Sequence, residues 1–259
     1  LEFRRVLFRS VSFKTEKAAA KTGATVLKMA DLEVHDARGV TAVKDFSLEV
    51  KSGEIVGIAG IDGNGQTELI QAITGLTKVQ AGHVLLQGKE VTNKRPRQIT
   101  EAGVGHIPED RLRFGMEVDM TLSENLALQT YYKAPLSKNG VLQTDEMDKL
   151  ANKLVEEFDV RAAGIQVTAG SMSGGNQQKA VIARELNRDN ELIIAAQPTR
   201  GLDVGAIEYI HQRLIAQRNA GKAVLVVSFE LDEILNLSDR IAVINAGKIV
   251  GIVDAKRSE

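Results

Sequence analysis

The residues best equipped for chemistry form one short run, Gly60-Ile61-Asp62-Gly63-Asn64-Gly65-Gln66-Thr67. Glu54-Ile-Val-Gly-Ile-Ala59 before it reads as a strand, and Leu69, Ile70, Ala72 and Ile73 after it read as a helix. Strand, glycine loop and helix is the setting in which backbone amides converge on phosphate oxygens, at a helix end whose dipole favours negative charge. Gly60 and Gly65 keep the spacing of G-x-x-x-x-G-K-S/T, and Thr67 fills the hydroxyl position that ligates magnesium. The lysine of that pattern is replaced by Gln66. An amide donates hydrogen bonds but brings no charge to a β- or γ-phosphate. Taken alone, the loop reads equally well as a nucleotide site and as a ligand-free turn.

A second constellation begins at Ser173-Gly174-Gly175-Asn176-Gln-Gln-Lys179, which opens a helical pattern. Serine-glycine-glycine before a helix serves equally as a plain N-cap and turn. A buried run, Leu192–Ala196, then leads into Gln197-Pro-Thr-Arg-Gly-Leu-Asp203. The four histidines, His35, His83, His106 and His211, have neither metal spacing nor a nucleophile partner. His211 falls in a helical pattern with Ile207, Ile210 and Leu214, which predicts a surface or boundary position.

Positioning these groups requires an α/β scaffold. Strand patterns at Val26–Val34 and Ala42–Val50 flank turn residues at His35–Gly39, and Gly82–Gly88 reads as another hairpin arm. A short helix is expected from Pro96, then a buried strand over Gly103–Pro108. Thr121-Leu-Ser-Glu124 is a capping box. A second capped helix is expected at Thr144, with Met147, Leu150, Ala151, Leu154, Val155 and Phe158 on one apolar stripe. Residues 110–169 therefore read as a helical insertion. Apolar runs at Leu192–Ala196 and Ala223–Ser228 alternate with helical patterns at Gly205–Asn219 and Leu231–Leu237, and strands at Arg240–Ile244 and Lys248–Val253 close the chain. That alternation predicts a parallel sheet covered on both faces.

Composition sets outer bounds. With 259 residues the chain is long enough for a substantial core. Its 33 basic and 34 acidic residues leave a net charge of −1 and no polybasic block, which disfavours nucleic acid as main partner. The absence of cysteine excludes disulfides, thiolate metal sites and cysteine nucleophiles. No stretch approaches the ~18 consecutive apolar residues of a membrane span. Leu1–Ser10 fits no neighbouring element and is expected to be a non-native N-terminal scar, and residues 11–24 a linker, so that a natural N-terminal part is missing.

Ser173–Lys179 followed by Ile194–Asp203 resembles the signature motif, Walker B strand and D-loop of ABC-transporter nucleotide-binding domains. Their order and spacing after the glycine loop match that family over residues 25–259, and imply a P-loop core with a parallel sheet, an N-terminal antiparallel β portion and an inserted helical subdomain. The wording of Ser173–Lys179 and Pro198–Asp203 is similar to ATPases of simple-sugar and nucleoside importers. Gly57–Asp62, Ala195–Pro198 and Ser228–Leu231 lean toward the nucleoside branch. In that group one polypeptide carries two such domains, and this chain resembles the second.

The resemblance also locates departures. Glu109 stands at the Q-loop glutamine, Ala196 and Gln197 at the magnesium-holding aspartate and the water-positioning glutamate, and Phe229 at the switch histidine. Loss of a general base alone costs about 10²–10⁴ in rate, and charge stabilisation is lost with Gln66. A silenced nucleotide site is therefore expected, with Gly60, Gly63, Asn64, Gly65, Gln66, Thr67 and Glu109 still holding ATP and Thr67 its Mg2+. By resemblance, Ser173, Gly174, Gly175, Asn176 and Asp203 face the ATP of a partner domain. Implied partners are the first nucleotide-binding domain, transmembrane permease subunits and, indirectly, a solute-binding protein, at the cytoplasmic face of the membrane. The segment Glu109–Arg111 and the insertion would face the permease. Two alternatives stand beside this: a regulatory nucleotide-binding module without turnover, and a soluble ABC protein acting on nucleic acid.

Overall fold

The computed structural model describes residues 17–255. The expected scar and residues 11–16 of the expected linker lie outside the described residues. Alternating burial makes β1 (Thr25–His35) and β2 (Thr41–Lys51) long antiparallel partners, with β4 (Val79–Leu86) pairing on the other side of β1 and β5 (Lys89–Glu90) on β4. The turn between β1 and β2 closes on Asp36, whose Oδ1 accepts the amides of Arg38 and Val40 at 2.9 Å each.

The second sheet has six strands in the order β12-β11-β3-β10-β9-β6. They are β3 (Ile55–Ala59), β6 (Val104–Ile107), β9 (Leu192–Ala196), β10 (Ala223–Ser228), β11 (Arg240–Asn245) and β12 (Lys248–Asp254). All neighbours are parallel except β12, which returns antiparallel on β11. Its central strands are buried at every position because both faces are covered. Val56, Ile58, Leu225, Val227 and Ile194 point into the core shared with the antiparallel sheet and α1 (Gln66–Ile73). Ile55, Val224, Val226, Ile193 and Ala195 point the other way, under the remaining helices.

Between the strands lie α2 (Pro96–Glu101), a single π-helical turn (Arg111–Gly115), α3 (Leu122–Ala127), α4 (Thr144–Glu157), α5 (Gly174–Leu186), α6 (Val204–Asn219) and α7 (Leu231–Leu237). The capping box forms as expected: Thr121 Oγ1 accepts the Glu124 amide at 3.1 Å, and Glu124 Oε2 accepts the Thr121 amide at 2.8 Å. Thr144 does not cap its helix. It is already the first helical residue, Gln143 precedes it without a side-chain bond, and Asp145 and Glu146 sit in the first turn, where the dipole favours them. The stretch read as helical also contains a hairpin, β7 (Ser137–Lys138) with β8 (Val141–Leu142). Its turn residues Asn139 and Gly140 have φ of 52° and 79°, the left-handed pair that a two-residue hairpin loop requires.

Helix α5 is anchored by charge inside the protein. Glu185 is sandwiched by Arg184 at 2.9 Å and Arg188 at 3.0 Å. Arg184 reaches the Asn125 carbonyl of α3 at 3.3 Å, and Arg188 the Thr100 carbonyl of α2 at 2.7 Å. A buried carboxylate survives because both of its oxygens are matched by guanidinium groups.

Candidate functional site

Parallel register decides which residues meet. Ala59 lies opposite Ser228, Val227 opposite Ala196, and Ala195 opposite Ile107. The four strands therefore end level, and the next residues, Gly60, Phe229, Gln197 and Pro108, emerge along one edge. In an open α/β sheet that carboxyl edge is where ligands bind. A cleft of ≈ 290 Å³ opens there, walled by Gln66, Thr67, Glu109, Gln197, Arg200 and Phe229 among others.

The loop fits an anion because its amides open onto the start of α1, and its own side chains keep it in shape. Gly65 has φ 95°, and a Cβ there would lie 2.3 Å from the Ala42 carbonyl oxygen, so both conformation and space demand glycine. Asn64 is a staple: Nδ2 donates to the Ile61 carbonyl at 3.0 Å, and Oδ1 accepts the Ala246 amide at 2.7 Å. Gln66 is buried, donates Nε2 to the same Ile61 carbonyl at 3.3 Å, and leaves Oε1 without a partner. Its amide is thus turned into the loop.

Across the cleft, Thr67 Oγ1 donates to Glu109 Oε2 at 3.2 Å, and Arg200 Nη1 donates to Glu109 Oε1 at 3.0 Å. Hydroxyl and carboxylate oxygens side by side are hard donors of the type magnesium takes, one or two from protein and the rest from phosphate and water. Thr67 and Glu109 are therefore the residues that fit the ion. Among the described residues, no group of three or more His, Asp or Glu side chains is arranged to hold a metal by itself.

Gln197 and Phe229 come together at the expected place. Gln197 is buried with φ 47°, and its Oε1 accepts the Phe229 amide at 3.3 Å, while its Nε2 has no partner. Ala196 offers only a methyl group to the cleft. Among the described residues, the cleft wall thus carries no carboxylate at the end of β9 and no imidazole at the end of β10.

Ser173–Asn176 and Asp203 stand apart from this wall and near one another. Ser173 is the N-cap of α5, and its hydroxyl accepts Asn176 Nδ2 at 2.9 Å rather than a backbone amide. Asn176 Oδ1 accepts the Arg161 amide at 2.7 Å. Asp203 caps α6, with Oδ1 accepting the Ala206 amide at 3.0 Å, and its other carboxylate oxygen would lie 3.8 Å from a Cβ on Gly175. Gln178 Nε2 of α5 holds the Pro198 carbonyl at 2.9 Å, fixing the Pro198–Asp203 loop to the same helix.

Three features were not anticipated. Arg200 carries no role in the sequence beyond its motif, yet it reaches Glu109 across the cleft. His211 is not a surface or boundary residue: it is 2 % exposed, because its Nε2 finds the buried Glu233 carboxylate at 3.0 Å. Glu233 Oε1 also accepts the Thr199 hydroxyl at 2.7 Å, so α6, α7 and the Pro198–Asp203 loop share one polar knot. His106, beside the cleft, is pushed down to a pKa of about 4 by burial, with nearby Arg184 adding to the effect and Glu185 opposing it.

A family model described as ABC transporter matches residues 43–200. The chain is 64 % identical over 245 residues to the nucleoside import ATP-binding protein NupA of Lactococcus lactis subsp. cremoris, covering 95 % of this chain and 48 % of that protein. It is 57 % identical over 250 residues to the guanosine import ATP-binding protein NupO of Bacillus subtilis, covering 96 % of this chain and 49 % of that protein. The chain thus spans about half the length of the curated relatives it matches. The fold is shared with a nucleotide-free ATP-binding cassette from an ABC transporter: TM-score 0.75, 24 % identity, 89 % of this chain and 92 % of that one.

Proposed function

The chain belongs to the ABC transporter family, and from that premise we propose that it is an ATP-binding half of an importer of nucleosides or simple sugars. Within it, this half corresponds to the second nucleotide-binding domain, working with a first such domain, permease subunits and a solute-binding protein at the cytoplasmic membrane face. The names of NupA and NupO favour nucleosides as the solute. Its own cleft takes ATP and Mg2+ but turns ATP over poorly. Gly60–Thr67 presents amides and a hydroxyl to the phosphates, and Thr67 with Glu109 presents oxygens to magnesium. That ion, when bound, neutralises phosphate charge.

The observation carrying the silent-site reading is the cleft wall itself. Gln197 is turned onto the Phe229 amide, so among the described residues no carboxylate stands at the end of β9, the position expected to take a proton from water. Phe229 offers no hydrogen bond to a γ-phosphate. Ser173–Asn176, by contrast, keeps a hydroxyl and a free helix start away from that wall, suited to the ATP of the partner domain. Reciprocal use of the two edges lets this half assist hydrolysis that it performs poorly itself.

The 259-residue chain should bind ATP and hydrolyse it at least about 10²-fold more slowly than a domain with an intact general base. Robust phosphate release from this chain, abolished by Gln197→Ala, would overturn the reading.

A further inference from the structure

The cleft lacks a charge that its ligand needs. A nucleotide's phosphate chain carries several negative charges, and Gln66 contributes none. Its amide is also spent on the Ile61 carbonyl within the loop. Among the described residues of the cleft wall, the cations are Arg113 and Arg200. Arg113 lies over the Phe114 ring, 4.9 Å from its centroid. Arg200 instead points across the opening to an anion beside α1, namely the Glu109 carboxylate, whose other oxygen takes the Thr67 hydroxyl.

Resting on the nucleotide reading above, we infer that Arg200 supplies the cationic phosphate contact that Gln66 cannot make, exchanging Glu109 for the phosphate chain when a nucleotide enters. The Glu109 carboxylate marks the position: an anion already held between a hydroxyl of the first turn of α1 and a guanidinium. The exchange is easy for Arg200, because its side chain is 64 % exposed and exposed ion pairs bind weakly. A phosphate offers the planar fork of arginine two acceptors at once, and carries more charge than the carboxylate it replaces. The base of the side chain is fixed meanwhile. The Arg200 amide donates to the Gln197 carbonyl at 3.2 Å, and the loop before it is pinned by Gln178 to Pro198 and by Thr199 to Glu233. Arg200 therefore moves as an arm on a held shoulder.

The test is equilibrium binding of ATP, ADP and adenosine to the 259-residue chain at low ionic strength, with melting temperatures confirming that each variant is folded. Arg200→Gln should weaken ATP about ten- to a hundredfold, the range for a lost charge-assisted contact, and leave adenosine unchanged. Arg200→Lys should recover part of the loss, restoring the charge but not the fork, and Arg113→Gln should change ATP binding less than about threefold. The wild-type preference for ATP over adenosine should fall as salt is raised. ATP binding to Arg200→Gln at wild-type strength would overturn the inference while leaving the nucleotide reading standing. Failure of the wild-type chain to bind ATP at all would remove both.

Discussion

At the scale of single residues, His106 is the chain's clearest titration device. Its imidazole is held neutral inside the protein with a pKa of about 4, against 6.5 for the free side chain, because burial penalises the cation. The sign follows from proton binding. Above pH 6.5 neither folded nor unfolded chain is protonated there, and the residue costs nothing. Between 6.5 and about 4 the unfolded chain takes a proton that the folded chain refuses, so stability falls with pH. Below about 4 the loss levels off, at a total of about 3 kcal/mol. His106→Gln should flatten this acid limb when urea unfolding is followed from pH 7 to 4, and parallel curves for the two proteins would contradict the assignment. The sequence placed His106 in a buried strand but gave no reason to expect a neutral imidazole. That depends on burial against α5, where Glu185 opposes the shift and Arg184 adds a smaller push, all on residues nearly 80 positions away in the chain. The substitutions at Gln66, Ala196, Gln197 and Phe229, by contrast, were readable from residue type alone. What they do with their hydrogen bonds was not: Gln66 folds into its loop, and Gln197 onto Phe229.

At the scale of elements, the knot of Thr199, His211 and Glu233 couples three segments with one carboxylate. The Thr199 hydroxyl and His211 Nε2 both lie on Glu233 Oε1, and all three side chains are buried. Glu233→Ala leaves two buried donors unmatched, at about 1–3 kcal/mol each. Urea midpoints should show that loss, with Glu233→Gln retaining part of the stability. Faster amide exchange is expected at residues 200–202 in Thr199→Val, with Thr199→Ser restoring the slow rate. Unchanged exchange in Thr199→Val would mean that Glu233 does not hold the loop. Strands and helices at this scale were largely visible in the periodicity, since a parallel sheet covered on both faces writes itself as runs such as Leu192–Ala196. The β7–β8 hairpin is hard to read from sequence despite its Asn139-Gly140 turn, because the strands flanking it are two residues each and show no alternation. His211 sits on the buried stripe of α6 with Ile210 and Leu214, and the reading of a boundary position fails because the buried carboxylate that accepts its imidazole, Glu233, comes from α7, a partner no local pattern shows.

At the scale of the whole molecule, the parallel register gathers one edge and the helical layer presents another. Four strand ends, distant in sequence, bring Gly60, Phe229, Gln197 and Pro108 to one edge of the sheet, where the last three line the cleft. The start of α5 and the Asp203 loop form a second edge, tied to the first through Gln178 and Pro198. The order of the motifs made both edges legible as motifs. The proposal that a second domain brings a cleft and a signature edge together rests on the family resemblance alone. The division of labour proposed for the two edges is most directly tested by Ser173→Arg in the assembled transporter. ATP turnover should fall by at least tenfold through loss of the proposed trans contact, since a charged hydrogen bond at the γ-phosphate is worth about 1.5–3 kcal/mol. ATP binding at this chain's own cleft should be unchanged. Turnover at the wild-type rate in that variant would contradict that division.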